Sequence, residues 1–185
     1  MIFGISCGQI KLYCRPSFHR QIDFMREKVL EEKHAGYGLG PPGTGKSTAA
    51  LVFAIAIDRT RWDVIWVHVE GVYTKCVHLS VQERKSGIID SETLKAVLRS
   101  ANAQNCLVLV DGWTFEEYRG KLEFLCFKWY TSANVPGEKR LVFICSVTSR
   151  GKASVDFEYN WKILEHQVWF WTLDEYLDAI NDKDF

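Results

Sequence analysis

The chain has 185 residues, enough for one domain with a substantial apolar core. Apolar residues make up 47% of it, and 23 Lys and Arg balance 23 Asp and Glu, so the formal net charge is zero. This composition excludes a disordered chain and the broad positive field of a general nucleic-acid binder. No apolar run approaches the roughly 18 residues of a membrane span. We therefore expect no membrane partner, and nothing in this fragment supports a nucleic-acid partner.

The N-terminal residues 1–16 carry no readable pattern, and we interpret them as the remnant of a longer N-terminal region. They begin without a basic segment, so we predict no signal peptide. The cysteines form no C-x-x-C pair, which favours reduced thiols and an intracellular protein. The six are Cys7, Cys14, Cys76, Cys106, Cys126 and Cys145.

The first predicted helix spans residues 17–33, where apolar side chains recur at helical spacing. Ser17, which follows Pro16, is its predicted N-cap. Residues 36–39 then predict a short strand that is unusually rich in glycine.

Residues 40–48 read Gly-Pro-Pro-Gly-Thr-Gly-Lys-Ser-Thr and match the phosphate-binding loop G-x-x-x-x-G-K-[ST] at every fixed position. The glycines allow the chain to wrap with positive φ, so that backbone N–H groups surround a polyphosphate. Lys46 supplies a charge beside the β- and γ-phosphates, and the Ser47 hydroxyl is a ligand for Mg²⁺. The predicted nucleotide-binding residues are Gly40, Pro41, Gly43, Thr44, Gly45, Lys46, Ser47 and Thr48.

The rest of the chain alternates predicted strands and helices. The helix after the phosphate-binding loop is predicted over residues 49–57. Residues 71–89 are predicted to be irregular, with an extra strand at 72–79 as an alternative. Another helix is predicted to begin at residue 91, with Asp90 or Ser91 as its cap. The other predicted strands are 63–70, 106–111, 141–146 and 166–171, and the other predicted helices are 116–132 and 173–180. This order predicts a parallel sheet covered by helices on both faces. Together with the phosphate-binding loop, it leads us to expect a three-layer α/β/α P-loop fold with a mostly parallel, five-stranded sheet, of the additional-strand ATPase type.

Asp111 ends the apolar run Cys106-Leu107-Val108-Leu109-Val110, which is typical of a central parallel strand. Ligands collect at the carboxyl ends of such strands. We therefore predict that Asp111 holds the Mg²⁺ together with Ser47. The predicted catalytic residues are Lys46, Asp111 and Arg150, the last because its guanidinium follows a strand end and suits the γ-phosphate.

The residue that would orient an attacking water is not identified. Hydrolysing proteins with this layout usually carry Glu after the strand-end Asp, whereas this chain has Gly112. Glu70, Glu116 and Glu117 are weak candidates, and the histidines show no ligand spacing. The sequence therefore leaves hydrolysis open.

Several blocks resemble the P-loop NTPase domain of the Crinkler effectors and the related retrotransposon hot spot proteins. They are residues 40–48, 107–112, 140–146 with Ser149-Arg150, and Trp171 with 174–177. The resemblance covers about residues 12–185. It implies a domain of the signal-transducing branch of P-loop ATPases, often followed by a nuclease-like domain, in effectors that reach the host cytoplasm or nucleus. We interpret residues 17–185 as such an NTPase domain, without its lid or a nuclease domain.

Three functions remain open from the sequence. The first is a Mg-ATP switch or weak ATPase that acts on an unknown protein partner, with GTP as an alternative nucleotide. The second is an interaction module that binds nucleotide without hydrolysis, and the third is an adenylate-kinase-like phosphotransferase. A strand between the loop strand and the Asp111 strand favours the ATPase, whereas direct adjacency favours the kinase.

Overall fold

The computed structural model describes residues 12–71, 73–101, 105–113, 117–133, 136–146 and 162–182. The helices are α1 (Pro16–Phe24), which continues as a π-helical segment (Met25–Glu31), α2 (Lys46–Ala56), α3 (Ser91–Ser100), α4 (Glu117–Tyr130) and α5 (Leu173–Asn181). The strands are β1 (Ala35–Leu39), β2 (Trp62–Glu70), β3 (Tyr73–Leu79), β4 (Arg84–Ile89), β5 (Asn105–Trp113), β6 (Lys139–Cys145) and β7 (Ile163–Gln167).

The seven strands of the described ranges form one mixed sheet in the order β4-β3-β2-β5-β6-β1-β7. From β2 to β7 every neighbouring pair is parallel, whereas β3 pairs antiparallel with both β2 and β4. The α/β class is therefore confirmed. The expectation of five strands is wrong, because β3 and β4 extend the sheet beyond β2.

The unpredicted strand is β4, in a stretch that the sequence analysis treated as irregular. Its residues Arg84–Ile89 are almost entirely exposed. It lies at the edge of the sheet and pairs only with β3. An exposed edge strand buries no face, so it lacks the alternation of apolar and polar residues that identifies a strand in a sequence. The extra strand at 72–79, left as an alternative, is present as β3.

Two apolar clusters cover the two faces of the sheet. On one face α3 and α4 pack against alternate strand residues such as Val108 and Val110. On the other face α2 and the π-helical segment pack against the intervening residues, such as Leu107 and Leu109. Burial on both faces explains the continuous apolar runs of β2, β5 and β6.

Gly36 of β1 has a packing function. A Cβ on Gly36 would lie 2.9 Å from Cγ2 of Val29 and 3.1 Å from a ring carbon of Phe24. The strand therefore needs glycine where the first helix presses on it. All five residues of β1 are nevertheless buried, so the strand is central despite its weak sequence pattern.

Several predicted boundaries differ from the observed ones, and the cap of the first helix and the end of the last strand are wrong. The N-cap of α1 is Arg15, not Ser17, because Pro16 occupies the first helical turn and Ser17 lies inside it. The last strand ends at Gln167, not at residue 171, and Thr172 then opens α5 with a capping box to Glu175. Of the two caps predicted for α3, Asp90 is the one observed, and its carboxylate accepts a hydrogen bond from the Thr93 N–H at 2.8 Å.

Within the described ranges, none of the helices combines the length and the apolar character needed to cross a membrane.

Candidate functional site

The predicted phosphate-binding loop joins the carboxyl end of β1 to the first turn of α2. Gly43 (φ 78°) and Gly45 (φ 85°) take the left-handed backbone conformation that favours glycine. A Cβ at either position would have no atom within 4 Å, so the loop faces open space. The Gln21 amide donates to the Lys46 carbonyl at 2.9 Å and fixes the first turn of α2 against α1. The result is a helix N-terminus that opens onto free volume, which suits an anion.

Gly40 serves a different purpose from the one that the sequence analysis gave it. It is absent from the glycines with positive φ among the described residues. A Cβ on Gly40 would instead lie 2.2 Å from the Val168 carbonyl oxygen, and the Val168 N–H donates to the Leu39 carbonyl at 2.6 Å. Glycine is therefore required here because the chain leaving β7 passes directly against the start of the loop.

Lys46 is folded into its own loop. Its ammonium donates to the Gly40 and Pro41 carbonyls, at 2.7 and 2.6 Å, and lies 3.4 Å from Oγ1 of Thr44. The residue is only 8% exposed, and burial lowers the pKa of its ammonium, while Asp111 nearby acts in the opposite direction. A buried ammonium whose described hydrogen bonds go to neutral acceptors of its own loop is well suited to pair with an incoming phosphate.

Ser47 and Asp111 meet although 64 positions separate them. The Ser47 hydroxyl donates to Oδ1 of Asp111 at 2.7 Å. Asp111 is 4% exposed and lies near the carboxyl end of β5, so the strand brings its carboxylate to the start of α2. A hydroxyl and a carboxylate are hard oxygen donors of the kind that Mg²⁺ prefers, and their proximity fits the predicted metal.

His68 is a member of the site that the sequence analysis did not assign. It lies on β2 directly opposite Asp111 in the parallel register. Its Nδ1 lies 3.1 Å from Oδ2 of Asp111, and its side chain is one quarter exposed. Asp111 thus contacts Ser47 through one oxygen and His68 through the other. In the sequence, His68 could be recognised only as a residue near the end of a predicted strand. Its contact with Asp111 could not be predicted without knowing that β2 lies beside β5.

The backbone conformation at Gly112 and the space around it do not accommodate a side chain. Its φ is 75°, and a Cβ would lie 2.5 Å from the Val69 carbonyl oxygen on the neighbouring strand. The pairing of β5 with β6 is irregular at this point, between Asp111 and Trp113. A glutamate at position 112 would meet both backbone strain and a clash, so its absence is a consequence of the local fold.

The remaining predicted residues are distributed as follows. Thr44 is buried, with its hydroxyl donating to the Pro41 carbonyl at 2.9 Å, and Thr48 is exposed on the first turn of α2.

The Glu70 carboxylate is exposed and lies 2.5 Å from the Lys75 ammonium, which lowers the pKa of that carboxyl. Arg150, Glu116 and the side chain of Glu117 lie outside what the structure describes.

No cluster of three or more His, Cys, Asp or Glu side chains suited to a metal is found among the described residues. A magnesium site of the predicted kind does not need one. In such sites the protein contributes few oxygen ligands, and phosphate oxygens and water complete the coordination. The residues that would hold the ion here are Ser47 and Asp111.

Comparison with known proteins does not identify a family. No protein-family model matches the chain, and no curated protein matches it. Its function must therefore be inferred from the loop, the lysine and Asp111.

Proposed function

We propose that this chain is a P-loop protein that binds a Mg-nucleotide, ATP in the first instance, and acts as a nucleotide switch or weak ATPase of a Crinkler-like effector. The observation that carries the proposal is the 2.7 Å contact between the Ser47 hydroxyl and the Asp111 carboxylate. Ser47 and Asp111 were predicted as ligands of the same Mg²⁺ from two separate sequence patterns, and they lie side by side.

The strand order supports the additional-strand ATPase fold as the finer description. Strand β6 lies between β1, which feeds the loop, and β5, which carries Asp111. The five parallel strands β2, β5, β6, β1 and β7 would form the core of that fold, and β3 and β4 an extension at one edge. Direct adjacency of β1 and β5 was the arrangement expected of an adenylate-kinase-like enzyme, so this order disfavours the phosphotransferase.

Each residue of the loop has a definable task in this function. The N–H groups around Gly43 and Gly45 would donate to phosphate oxygens, and the Lys46 ammonium would exchange its loop carbonyls for the β- and γ-phosphates. Ser47 and Asp111 would hold the ion, and His68 would fix the orientation of the carboxylate. The Mg²⁺ itself neutralises charge on the phosphate oxygens. Arg150 remains the proposed γ-phosphate contact.

Equilibrium binding of labelled ATP in the presence and absence of Mg²⁺ tests the proposal. We expect binding by the wild-type protein, its loss in Lys46→Ala, and loss of the Mg²⁺ dependence in Asp111→Asn. Lys75→Ala is the matched control, because it removes an exposed lysine whose described partner is Glu70. Absence of ATP binding by the folded wild-type protein would refute the proposal.

A nucleotide-binding module without hydrolysis is the second candidate, and Gly112 favours it. The backbone at this position cannot carry the carboxylate that usually orients the attacking water. Release of inorganic phosphate from ATP distinguishes the two candidates. Hydrolysis that is lost in Asp111→Asn would support the ATPase, whereas binding without any phosphate release would support the module.

A further inference from the structure

Helix α5 leaves its apolar side chains in solvent. They recur at positions i, i+3, i+4 and i+7, which is the spacing of one stripe along a helix. The four residues, Leu173, Tyr176, Leu177 and Ile180, are between 48% and 77% exposed. The one buried residue of α5 is Ala179. A helix of a folded domain usually buries such a stripe, so this one is a surface for contact with another molecule.

The charged side chains of α5 are all acidic. The helix contains Asp174, Glu175 and Asp178 and neither Lys nor Arg. The Glu175 carboxylate closes the capping box and lies 3.5 Å from the Arg15 guanidinium. Asp174 and Asp178 are exposed one turn apart, and neither forms an ion pair with a described residue. The surface is therefore apolar and acidic, and it suits a partner that is apolar and basic, whereas two copies of α5 would bring like charges together.

A groove of about 430 Å³ between α3 and α4 offers the matching surface. Its apolar lining comes from Leu98 of α3 and from Leu125 and Trp129 of α4. Leu98 and Trp129 belong to the apolar cluster on this face of the sheet and are 2% and 6% exposed, so the core fixes the floor of the groove. Hydrophobic grooves bind amphipathic helices through apolar side chains at i, i+3, i+4 and i+7. The stripe on α5 has that spacing.

The rim of the groove is basic. Lys95 and Arg99 on α3 and Lys128 on α4 line it. The Lys95 ammonium lies 2.5 Å from the Glu92 carboxylate, which also lines the groove. Arg99 and Lys128 are exposed, and neither forms an ion pair within the part of the chain that the structure describes. These two unpaired cations match the two unpaired carboxylates of α5 in number and are opposite in sign.

In a single copy, α5 is held away from this groove. The Trp171 ring stacks on Tyr13 at 5.8 Å and on Tyr176 of α5 at 4.9 Å, so α5 is fixed beside the segment that leads into α1. The π-helical continuation of α1 packs on one face of the sheet, and α3 and α4 pack on the other. A contact between α5 and the groove therefore joins two copies of the chain.

We propose that this chain associates with itself, with the apolar stripe of α5 from one copy in the α3–α4 groove of the next, and with Asp174 and Asp178 beside Arg99 and Lys128. The two surfaces are different, so the contact is heterologous, and each copy presents both of them. Association of this kind continues beyond a dimer. None of these four charged residues belongs to the proposed nucleotide site, so the inference stands apart from nucleotide binding.

Sedimentation equilibrium of the full chain at increasing concentration tests the proposal. We expect the weight-average mass of the wild-type protein to rise above that of the monomer. The double variants Arg99→Glu/Lys128→Glu and Asp174→Lys/Asp178→Lys each place like charges on the two surfaces, so each alone should associate at least about tenfold more weakly. An equimolar mixture should recover the association, because every contact between the two variants again joins opposite charges.

Two matched controls separate this contact from general effects of charge and hydrophobicity. Arg84→Glu/Lys85→Glu reverses two exposed cations of the edge strand β4 and gives the same net charge as the groove variant. Ile180→Ser removes a side chain of the stripe that is 77% exposed, and Ile88→Ser removes one on β4 that is 68% exposed. We expect Ile180→Ser to weaken association and both β4 variants to leave it unchanged.

Recovery in the mixture would show that both double variants are folded and that these two surfaces meet. A wild-type protein that stays monomeric up to roughly 100 μM, about a hundredfold above a micromolar Kd, would overturn the proposal. So would charge-reversed variants that associate as the wild type does, or a mixture that does not recover. Binding of the monomeric wild-type protein to phosphatidylcholine vesicles through Ile180 would also overturn it, because the stripe would then be a lipid-binding surface.

Discussion

The carboxylate of Asp111 has two fixed neighbours, and each constrains it in a different way. Ser47 donates to one oxygen from the start of α2, and His68 contacts the other from β2. Because Asp111 is buried, its orientation is set by these contacts and not by water. Gly112 then turns the chain away through a backbone that only glycine adopts without strain. The role of Asp111 in the site therefore follows from its contacts with Ser47 and His68, and not from the carboxylate alone.

At the residue scale, removal of the His68 imidazole should lower the affinity of the proposed site for Mg²⁺. His68→Ala deprives Asp111 of its contact at Oδ2, and loss of such an outer partner typically costs about 10–100-fold in metal affinity. We expect weaker Mg²⁺ dependence of nucleotide binding, measured by titrating Mg²⁺ at fixed ATP. His78→Ala is the control, because His78 contacts Asp63 at 3.3 Å on the same sheet without touching Asp111. Equal effects of the two changes would contradict a positioning role for His68.

Gly112 provides a second prediction at this scale. Gly112→Ala should lower the free energy of unfolding by more than Gly71→Ala, measured by urea denaturation. Both glycines have positive φ, which costs about 1–2 kcal/mol for another residue. Only Gly112 also faces a backbone atom, the Val69 oxygen, whereas Gly71 has open space. Overpacking adds about 1–3 kcal/mol, so equal losses would show that the contact with Val69 is unimportant.

At the scale of elements, the site depends on how closely the first helix approaches β1. The π-helical segment packs Val29 against the strand at Gly36, and α1 provides Gln21, which holds the first turn of α2. A wider separation would move the loop relative to Asp111. Gly36 therefore bears on the position of the loop as well as on the packing of the core.

Gly36→Ala tests this arrangement. The new Cβ would lie 2.9 Å from buried Val29, so we expect a loss of about 1–3 kcal/mol in the free energy of unfolding. The measurement is urea denaturation, with Gly87→Ala as the control, because a Cβ at that glycine of the edge strand β4 meets no atom within 4 Å. A neutral Gly36→Ala would mean that the helix moves aside without cost.

At the scale of the whole molecule, the apolar cluster on the α3 and α4 face of the sheet protects four thiols. Of the five cysteines in the described ranges, Cys14 is exposed, and Cys76, Cys106, Cys126 and Cys145 are buried. Burial raises the pKa of Cys76 to about 11 and that of Cys126 to about 12, and it raises the pKa of Cys106 as well. The reactive thiolate is therefore suppressed at neutral pH wherever the core is intact.

Thiol labelling measures that protection. In a Cys7→Ser variant, which removes the cysteine outside the described ranges, we expect one fast-reacting thiol at pH 8, that of Cys14, and four that react only on unfolding. The raised pKa values also predict that stability falls as the pH rises above the ordinary thiol pKa, because the unfolded chain then ionises its thiols first. Rapid reaction of two or more thiols in the native protein would contradict the burial of these four cysteines in one cluster.

The sequence alone determined the local features of this protein. The loop pattern, the alternation of helices and buried strands, and the strand-end Asp111 all follow from residue types at fixed spacing, because glycine conformation and apolar periodicity are local properties. Exposed β4 escaped detection because nothing is buried there to create a pattern. Gly36 weakened the apolar pattern of the central strand β1, because glycine is required there by contact with the first helix and not by the strand itself.

Only the tertiary structure decided which distant residues meet. The strand order brings β2 beside β5 and so joins His68 to Asp111, and it inserts β6 between β5 and the loop strand. The return of the chain after β7 brings Val168 against Gly40 and Trp171 against Tyr13. These contacts follow from the order of the strands in the sheet. That order is set by the packing of the whole chain, so no local sequence pattern predicts it.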